Sequence, residues 1–288
     1  MQLRLGYFPN VTHAPAIIGV ETGLFADALG PDVELRTSTF NSGTEVVEAL
    51  RVVSGTTSGG AALVVRDGID TPDDLAGATL ATPSLGNTQD VALRAWLQEQ
   101  GFETDTSGGG EVQITPQDNA DTLAGFQQGA LDGAWVPEPW ATRLVEEGGA
   151  TVLVDEAELW PEGRFVTTHL VFSTDFLEEH PAVVRDLLTG LGQAVDQANG
   201  DPQAAQQVVN DGIEAVTTSR LSHVTIAGAW EHLEFTLDPV ASSLWGSADD
   251  AVEVGLLEPV DLTAPGIYDL DLLNEVLAER GDGEVSPL

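Results

Sequence analysis

Apolar residues recur along this chain in two rhythms. Short runs with alternating or continuous apolar positions mark strands, and stretches where apolar residues return every third or fourth position mark helices. Leu3-Arg4-Leu5-Gly6-Tyr7 reads as a strand, punctuated by Pro9 and Asn10. A helix is expected over 14–22, closed by Gly23, and 33–36 is the next strand. Asn41-Ser42-Gly43-Thr44-Glu45 then begins a helix with Val46, Val47 and Leu50 on one side, where Ser42 and Glu45 fit a capping box. Residues 61–65 form a buried-looking strand, 71–75 a short capped turn with Pro72 at its first position, 78–81 a strand and 82–88 a loop. The pattern continues with helix 89–99, strand 112–115, helix 119–129 and strand 131–136. Pro137-Glu138-Pro139-Trp140 turns into another helix, and 152–154 and 169–172 are further strands. From Asp175 onward helices dominate, over 181–198, 202–214, around 227–232 and over 270–278.

This alternation predicts an α/β fold with mainly parallel sheets flanked by helices, in two lobes rather than one. The runs 61–66 and 169–172 read as the crossings between lobes. Ligands of open α/β sheets sit at the carboxyl ends of the strands, which here means the loops at 10–13, 42–44, 86–89 and 137–140.

Composition narrows the chemistry. Of 288 residues 42% are hydrophobic, enough for sizeable cores and too many for a disordered chain. No run approaches the ~18 apolar residues of a membrane span. The opening residues show no basic stretch followed by an apolar one, so no export signal is expected within this chain. There is no cysteine, which excludes disulfides, thiol catalysis and thiolate metal sites. There are 47 acidic and 10 basic residues, for a formal net charge of −37, and every basic residue is Arg. The acids are spread evenly, as in a solvation shell suited to high salt; a cation sponge is the competing reading. Nucleic acid is not an expected partner, because no basic patch is present. Without Lys there is no Schiff-base chemistry and no Walker A motif.

The loops carry a resemblance. Gly6-Tyr7-Phe8-Pro9-Asn10-Val11-Thr12-His13-Ala14-Pro15, Asn41-Ser42-Gly43-Thr44-Glu45, Thr82-Pro83-Ser84-Leu85-Gly86-Asn87-Thr88, Val136-Pro137-Glu138-Pro139-Trp140-Ala141 and Asp238-Pro239-Val240-Ala241-Ser242-Ser243-Leu244 together resemble the aliphatic sulfonate, nitrate and taurine family of ABC-transporter substrate-binding proteins. The resemblance implies a two-lobed type II periplasmic-binding-protein fold closing on its ligand by a hinge. It implies no catalysis, no cofactor, an extracytoplasmic location, and a membrane permease and ATPase as partners. Lobe 1 would comprise 1–66 with a return over 191–288, and lobe 2 would comprise 67–190. In the family a segment of about thirty residues usually separates the helix at 45–50 from the following strand. Here Leu50-Arg51 runs straight into Val52-Val53-Ser54, and a chain without that segment lacks a strand of lobe 1 and one wall of the site.

The expected ligand is a small anion or zwitterion held by neutral donors. Helix starts at Ser42-Gly43-Thr44 and Gly86-Asn87-Thr88-Gln89 offer unpaired N–H groups, and glycine lets the backbone approach closely. Asn10, Thr12, His13, Glu138, Trp140, Thr168 and His169 complete the candidate contacts. Each has a plainer reading. Ser42 and Thr88 can be helix caps, Thr12 and His13 can cap the first helix, Trp140 can be core, and Glu138 can hold a backbone N–H. A metal pair of His13 and His169 has no support in their spacing. Arg164 can meet an anion or an acidic neighbour, and His180, His223 and His232 lie on or near helices in structural roles. Other readings remain open: an enzyme of the same fold, of the pyrimidine-precursor or menaquinone type, with His13 and Glu138 as acid and base; a sensory domain; or a binding protein for a thiamine or riboflavin precursor, bicarbonate or an aromatic carboxylate.

Overall fold

The computed structural model describes residues 1–40, 50–259 and 267–287. In chain order the elements are β1 (Gln2–Tyr7), α1 (Ala14–Glu21), α2 (Leu24–Leu29), β2 (Glu34–Thr39), β3 (Leu50–Gly59), β4 (Ala61–Val65), β5 (Thr79–Thr82), α3 (Thr88–Glu99), β6 (Gln113–Pro116), α4 (Asn119–Gln127), β7 (Gly133–Pro137) and α5 (Trp140–Gly148). There follow β8 (Thr151–Asp155), β9 (Val166–Ser173), α6 (Thr174–Glu179), α7 (Pro181–Gly200), α8 (Pro202–Thr217), α9 (His223–Glu231), β10 (Leu233–Phe235), α10 (Ala241–Glu253) and α11 (Asp271–Arg280). Short 3-10 turns fill several junctions, including Val11–His13 and Pro72–Leu75. The latter has the expected Thr71–Asp74 capping box.

The chain forms two compact units. Unit 1 comprises Met1–Ser58, Val166–Ala241 and Leu262–Leu288, and unit 2 comprises Gly59–Phe165 and Ser242–Asp261. The units join 166–190 to unit 1, where the sequence reading placed those residues in lobe 2. Neither 61–66 nor 169–172 is where the chain changes unit. β4 lies wholly in unit 2 and β9 wholly in unit 1, and the changes fall at 58/59 and 165/166. The first coincides with Gly59 and Gly60, at φ 81° and 76°, a conformation other residues avoid.

In unit 1, β1 and β2 pair in parallel, from Gln2 opposite Glu34 to Tyr7 opposite Thr39. A second sheet has the order β10-β3-β9, with β3 and β9 antiparallel. Both sheets share one core, in which Leu3, Leu5 and Val53 meet α1, α7, α8 and α11. α7 is long because Val184, Leu187, Leu188, Leu191, Ala194, Val195 and Ala198 keep the helical spacing and are all buried. Gly55 of β3 lets the segment before α10 pack flat against it: a Cβ there would lie 2.1 Å from the Asp238 carbonyl oxygen. Leu50 was expected on a helix with Val46 and Val47. It opens β3 instead, drawn into a run rich in Val and Thr that suits a half-buried strand.

Unit 2 is built on the sheet β6-β5-β7-β4-β8. β5 runs parallel to β6 and β7, while β4 is antiparallel to β7 and β8. Leu63, Leu80 and Trp135 face one core with α3, and Val64, Ala81 and Val136 face another with α4 and α5. Because β6, β5 and β7 are parallel, the helices that follow them all begin at one sheet edge: α4, α3 and α5.

Candidate ligand-binding site

The loop after β5 is the best-defined part of the site. Gly86 adopts φ 75°, and Asn87 caps α3, its Oδ1 accepting the Asp90 N–H at 2.9 Å. The Asn87 N–H donates to Ser84 O at 3.2 Å, and its side-chain amide to Gln89 Oε1 at 2.9 Å. Gly86 N–H is not free for a ligand, since it donates to Asp90 Oδ2 at 2.9 Å. Two backbone donors of the first turn, on Thr88 and Gln89, have no hydrogen-bond partner among the described residues. Thr88 is exposed and Gln89 buried. This is a helix N-terminus with two open backbone donors beside the Asn87 cap and the buried Asp90 carboxylate of its first turn, and open N–H groups of this kind can meet an anion.

Glu138 and Trp140 follow β7 at the same sheet edge. The Glu138 carboxylate is buried and caps α5, accepting the Thr142 N–H at 3.1 Å and the Thr142 hydroxyl at 3.0 Å. The peptide bond from Glu138 to Pro139 is cis. Trp140 packs against Ala141, Leu144 and their neighbours, and the Arg143 guanidinium lies 4.5 Å over its ring. At the end of β6, the Asn119 side-chain oxygen at the start of α4 is buried with no hydrogen-bond partner among the described residues.

In unit 1 the loop after β1 carries Asn10, Thr12 and His13. Asn10 Oδ1 accepts the Thr12 N–H at 3.2 Å and so caps the 3-10 turn. The Thr12 carbonyl accepts two hydroxyls, Thr57 at 2.7 Å and Thr168 at 3.2 Å. Thr168 thus spends its proton on the loop rather than offering it to a ligand. His13 stacks in a tilted contact on Phe8, 4.6 Å between centroids, and burial pushes its pKa down to about 4. Near neutral pH the ring is uncharged. His169 donates from Nε2 to the Pro239 carbonyl at 3.0 Å and stands edge-on to Tyr268. It fastens the segment before α10. Ser42, Gly43 and Thr44 lie outside the described residues.

The sequence reading missed several groups that shape these loops. Asp90 and Arg94 form a buried ion pair at 3.0 Å, and the i,i+4 spacing was visible but its burial was not. Thr57 and Thr142 had no signal beyond residue type. Asn119 stood at an expected helix start but was not singled out. Cations are scarce: among the described residues at least seven of the ten arginines, including Arg143, Arg185 and Arg280, are paired with carboxylates.

The family model of the NMT1-like family matches residues 1–66 and 55–211. The taurine-binding periplasmic protein of Escherichia coli (strain K12) is 33% identical over 124 residues, 43% of this chain and 36% of that protein. The chain therefore matches little more than a third of the length of that curated relative. Among solved structures, the alkanesulfonate-binding protein SsuA from Xanthomonas axonopodis pv. citri, bound to MOPS, aligns with a TM-score of 0.74 at 17% identity, covering 93% of this chain and 98% of that one. The periplasmic nitrate-binding protein NrtA from Synechocystis PCC 6803 aligns with a TM-score of 0.79 at 14% identity, covering 96% and 88%. An enzyme shares the fold as well: the desulfurization enzyme DSZB aligns with a TM-score of 0.63 at 17% identity, covering 96% and 99%. The chain belongs to the NMT1-like family and has the type II periplasmic-binding-protein fold of the sulfonate-, nitrate- and taurine-type ABC substrate-binding proteins.

Proposed function

We propose that this chain is the solute-capturing, extracytoplasmic component of an ABC importer, handing a small anion or zwitterion to a membrane permease and its ATPase. A taurine-like alkanesulfonate is the first candidate ligand and a nitrate-like anion the second. The observation that carries the reading is the open first turn of α3, where the Thr88 and Gln89 amides lack partners among the described residues. With at least seven arginines already paired among the described residues and His13 neutral, the negative group is held by dipoles and neutral donors.

Magnitudes bound this site. Two hydrogen bonds to a charged ligand at ~1.5–3 kcal/mol each and a helix end at ~0.3–1 kcal/mol give roughly 3–7 kcal/mol before association costs. Micromolar binding needs about 8 kcal/mol net, so α3 alone does not make the site. The Glu138 carboxylate and the unsatisfied Asn119 oxygen are acceptors at the same edge, which favours a ligand with an N–H group beside its anionic end, as taurine has.

Calorimetric titration with taurine, ethanesulfonate, nitrate, bicarbonate and a thiamine-precursor pyrimidine tests the assignment. Binding of taurine ahead of ethanesulfonate is the expected order. A response to the pyrimidine alone reverses the ligand class, and conversion of any bound compound replaces transport with catalysis, a reading that the enzyme of the same fold keeps in view.

A further inference from the structure

The α3 turn is organised around a buried ion pair. Asp90 and Arg94 have side-chain exposures of 0% and 1%. Every oxygen of Asp90 is used: Oδ1 accepts the Thr82 hydroxyl at 2.8 Å and Arg94 Nη2 at 3.3 Å, and Oδ2 accepts Gly86 N–H at 2.9 Å and Arg94 Nε at 3.0 Å. Arg94 also donates to the Asp105 carbonyl, and Asp105 in turn ties down its own loop through Ser107 and Gly109. The pair therefore spans the end of β5, the exposed glycine of the loop, the first two turns of α3 and the 105–109 loop.

Stability alone is a poor account of this pair. Interior ion pairs lose so much hydration that apolar replacements of similar volume are often neutral or stabilising. What the pair does accomplish is local. Gly86 sits at φ 75°, and glycine has more freedom to leave such a conformation than any other residue. Its tether to Asp90 fixes the loop, and with Asn87 occupied by Ser84, Asp90 and Gln89, the first-turn amides of Thr88 and Gln89 stay open among the described residues.

We propose that Asp90 and Arg94 are positioning residues for ligand capture: by holding Gly86 they set the Thr88 and Gln89 amides as the donors that meet the anion, without touching it themselves. This assignment rests on the binding function proposed above.

The test titrates the full chain with taurine, ethanesulfonate and nitrate in ~1 M KCl, where the Debye length is ~3 Å. Wild type is compared with Asp90→Leu/Arg94→Leu and with Arg94→Lys. The double variant is expected to unfold at the wild-type temperature or above, yet to bind roughly tenfold more weakly or worse, because a loosened site loses affinity out of proportion to stability. Arg94→Lys, which keeps the charge, should recover part of the loss. Wild-type affinity in a folded double variant overturns the role and leaves the function standing. Failure of wild type to bind all three compounds overturns the function and this role with it. Where the double variant does not fold, amide spectra of the 15N-labelled wild type decide: the Thr88 and Gln89 signals should move on adding the tightest of the three compounds, while Gly86 stays protected throughout. Movement of Gly86 with Thr88 and Gln89 unchanged refutes the assignment.

Discussion

Two titratable side chains, one buried and one half-buried, set opposite pH slopes. Glu156, just after β8, is almost wholly buried and accepts the Trp135 indole N–H at 2.7 Å. Burial pushes its pKa up to about 7, against the bonds from Trp135 and Trp160, with the charges of Asp155 and Asp250 raising it further. A group whose pKa is higher folded than unfolded stabilises the fold while protonated, so its contribution is complete below about pH 4.5 and is lost as pH rises to about 7. The span corresponds to about 3 kcal/mol at most. Glu156→Gln keeps an acceptor for Trp135, so denaturant unfolding should show the variant more stable than wild type at pH 8, with the gap closing by pH 4. His13 works the other way. Its pKa is lower folded than unfolded, so the stability it contributes is present above about pH 6.5 and disappears as pH falls to about 4. His13→Gln should remove that acid-side loss, and an unchanged acid limb in thermal melts between pH 4 and 7 contradicts the burial argument.

At the scale of elements, helix starts do most of the work. Removing the Glu138 cap leaves the Thr142 N–H at the head of α5 without its carboxylate, and Glu138→Ala should cost roughly 1–2 kcal/mol, read from the denaturant midpoint. Because Glu138 is also an acceptor at the proposed site, the same variant should narrow the preference for taurine over ethanesulfonate. Most elements were legible because their periodicity was strong. Residues 61–65 match β4, and the helix expected over 181–198 matches α7 within two residues of its end. The omissions are short or weakly patterned: α2 and α6 have six residues each and β10 three, too few for a period to declare itself. α10 escaped because Ser242, Ser243, Gly246 and Ser247 blur its apolar stripe. The site was legible as loop positions, since Gly, Asn, Pro and Thr punctuate strand ends, but not as bonding. That Gly86 is tethered depends on the burial of Asp90 four residues on, and that Thr168 points its proton at Thr12 and His169 holds Pro239 depends on contacts 156 and 70 residues apart, which no local spacing encodes.

For the molecule as a whole, charge is the governing quantity. A formal −37 on 288 residues works against compaction by mutual repulsion, and at ~1 M salt the repulsion reaches only ~3 Å. The melting temperature should therefore climb steadily as KCl is raised from ~0.1 to ~1 M, where the Debye length shrinks from ~10 to ~3 Å, and a flat or falling curve contradicts the salt-adapted reading of the acidic surface.

Among the described residues β1 pairs with β2 alone, and that has a consequence for how the protein breathes. Two parallel strands bonded along a single shared edge are among the weaker arrangements of a sheet, and here they depend on the helices covering them. Deuterium should enter the backbone of Gln2–Tyr7 and Glu34–Thr39 sooner than that of Ala61–Val65, which is bonded on both sides, so the earliest openings of the native state should begin at the chain's first strand.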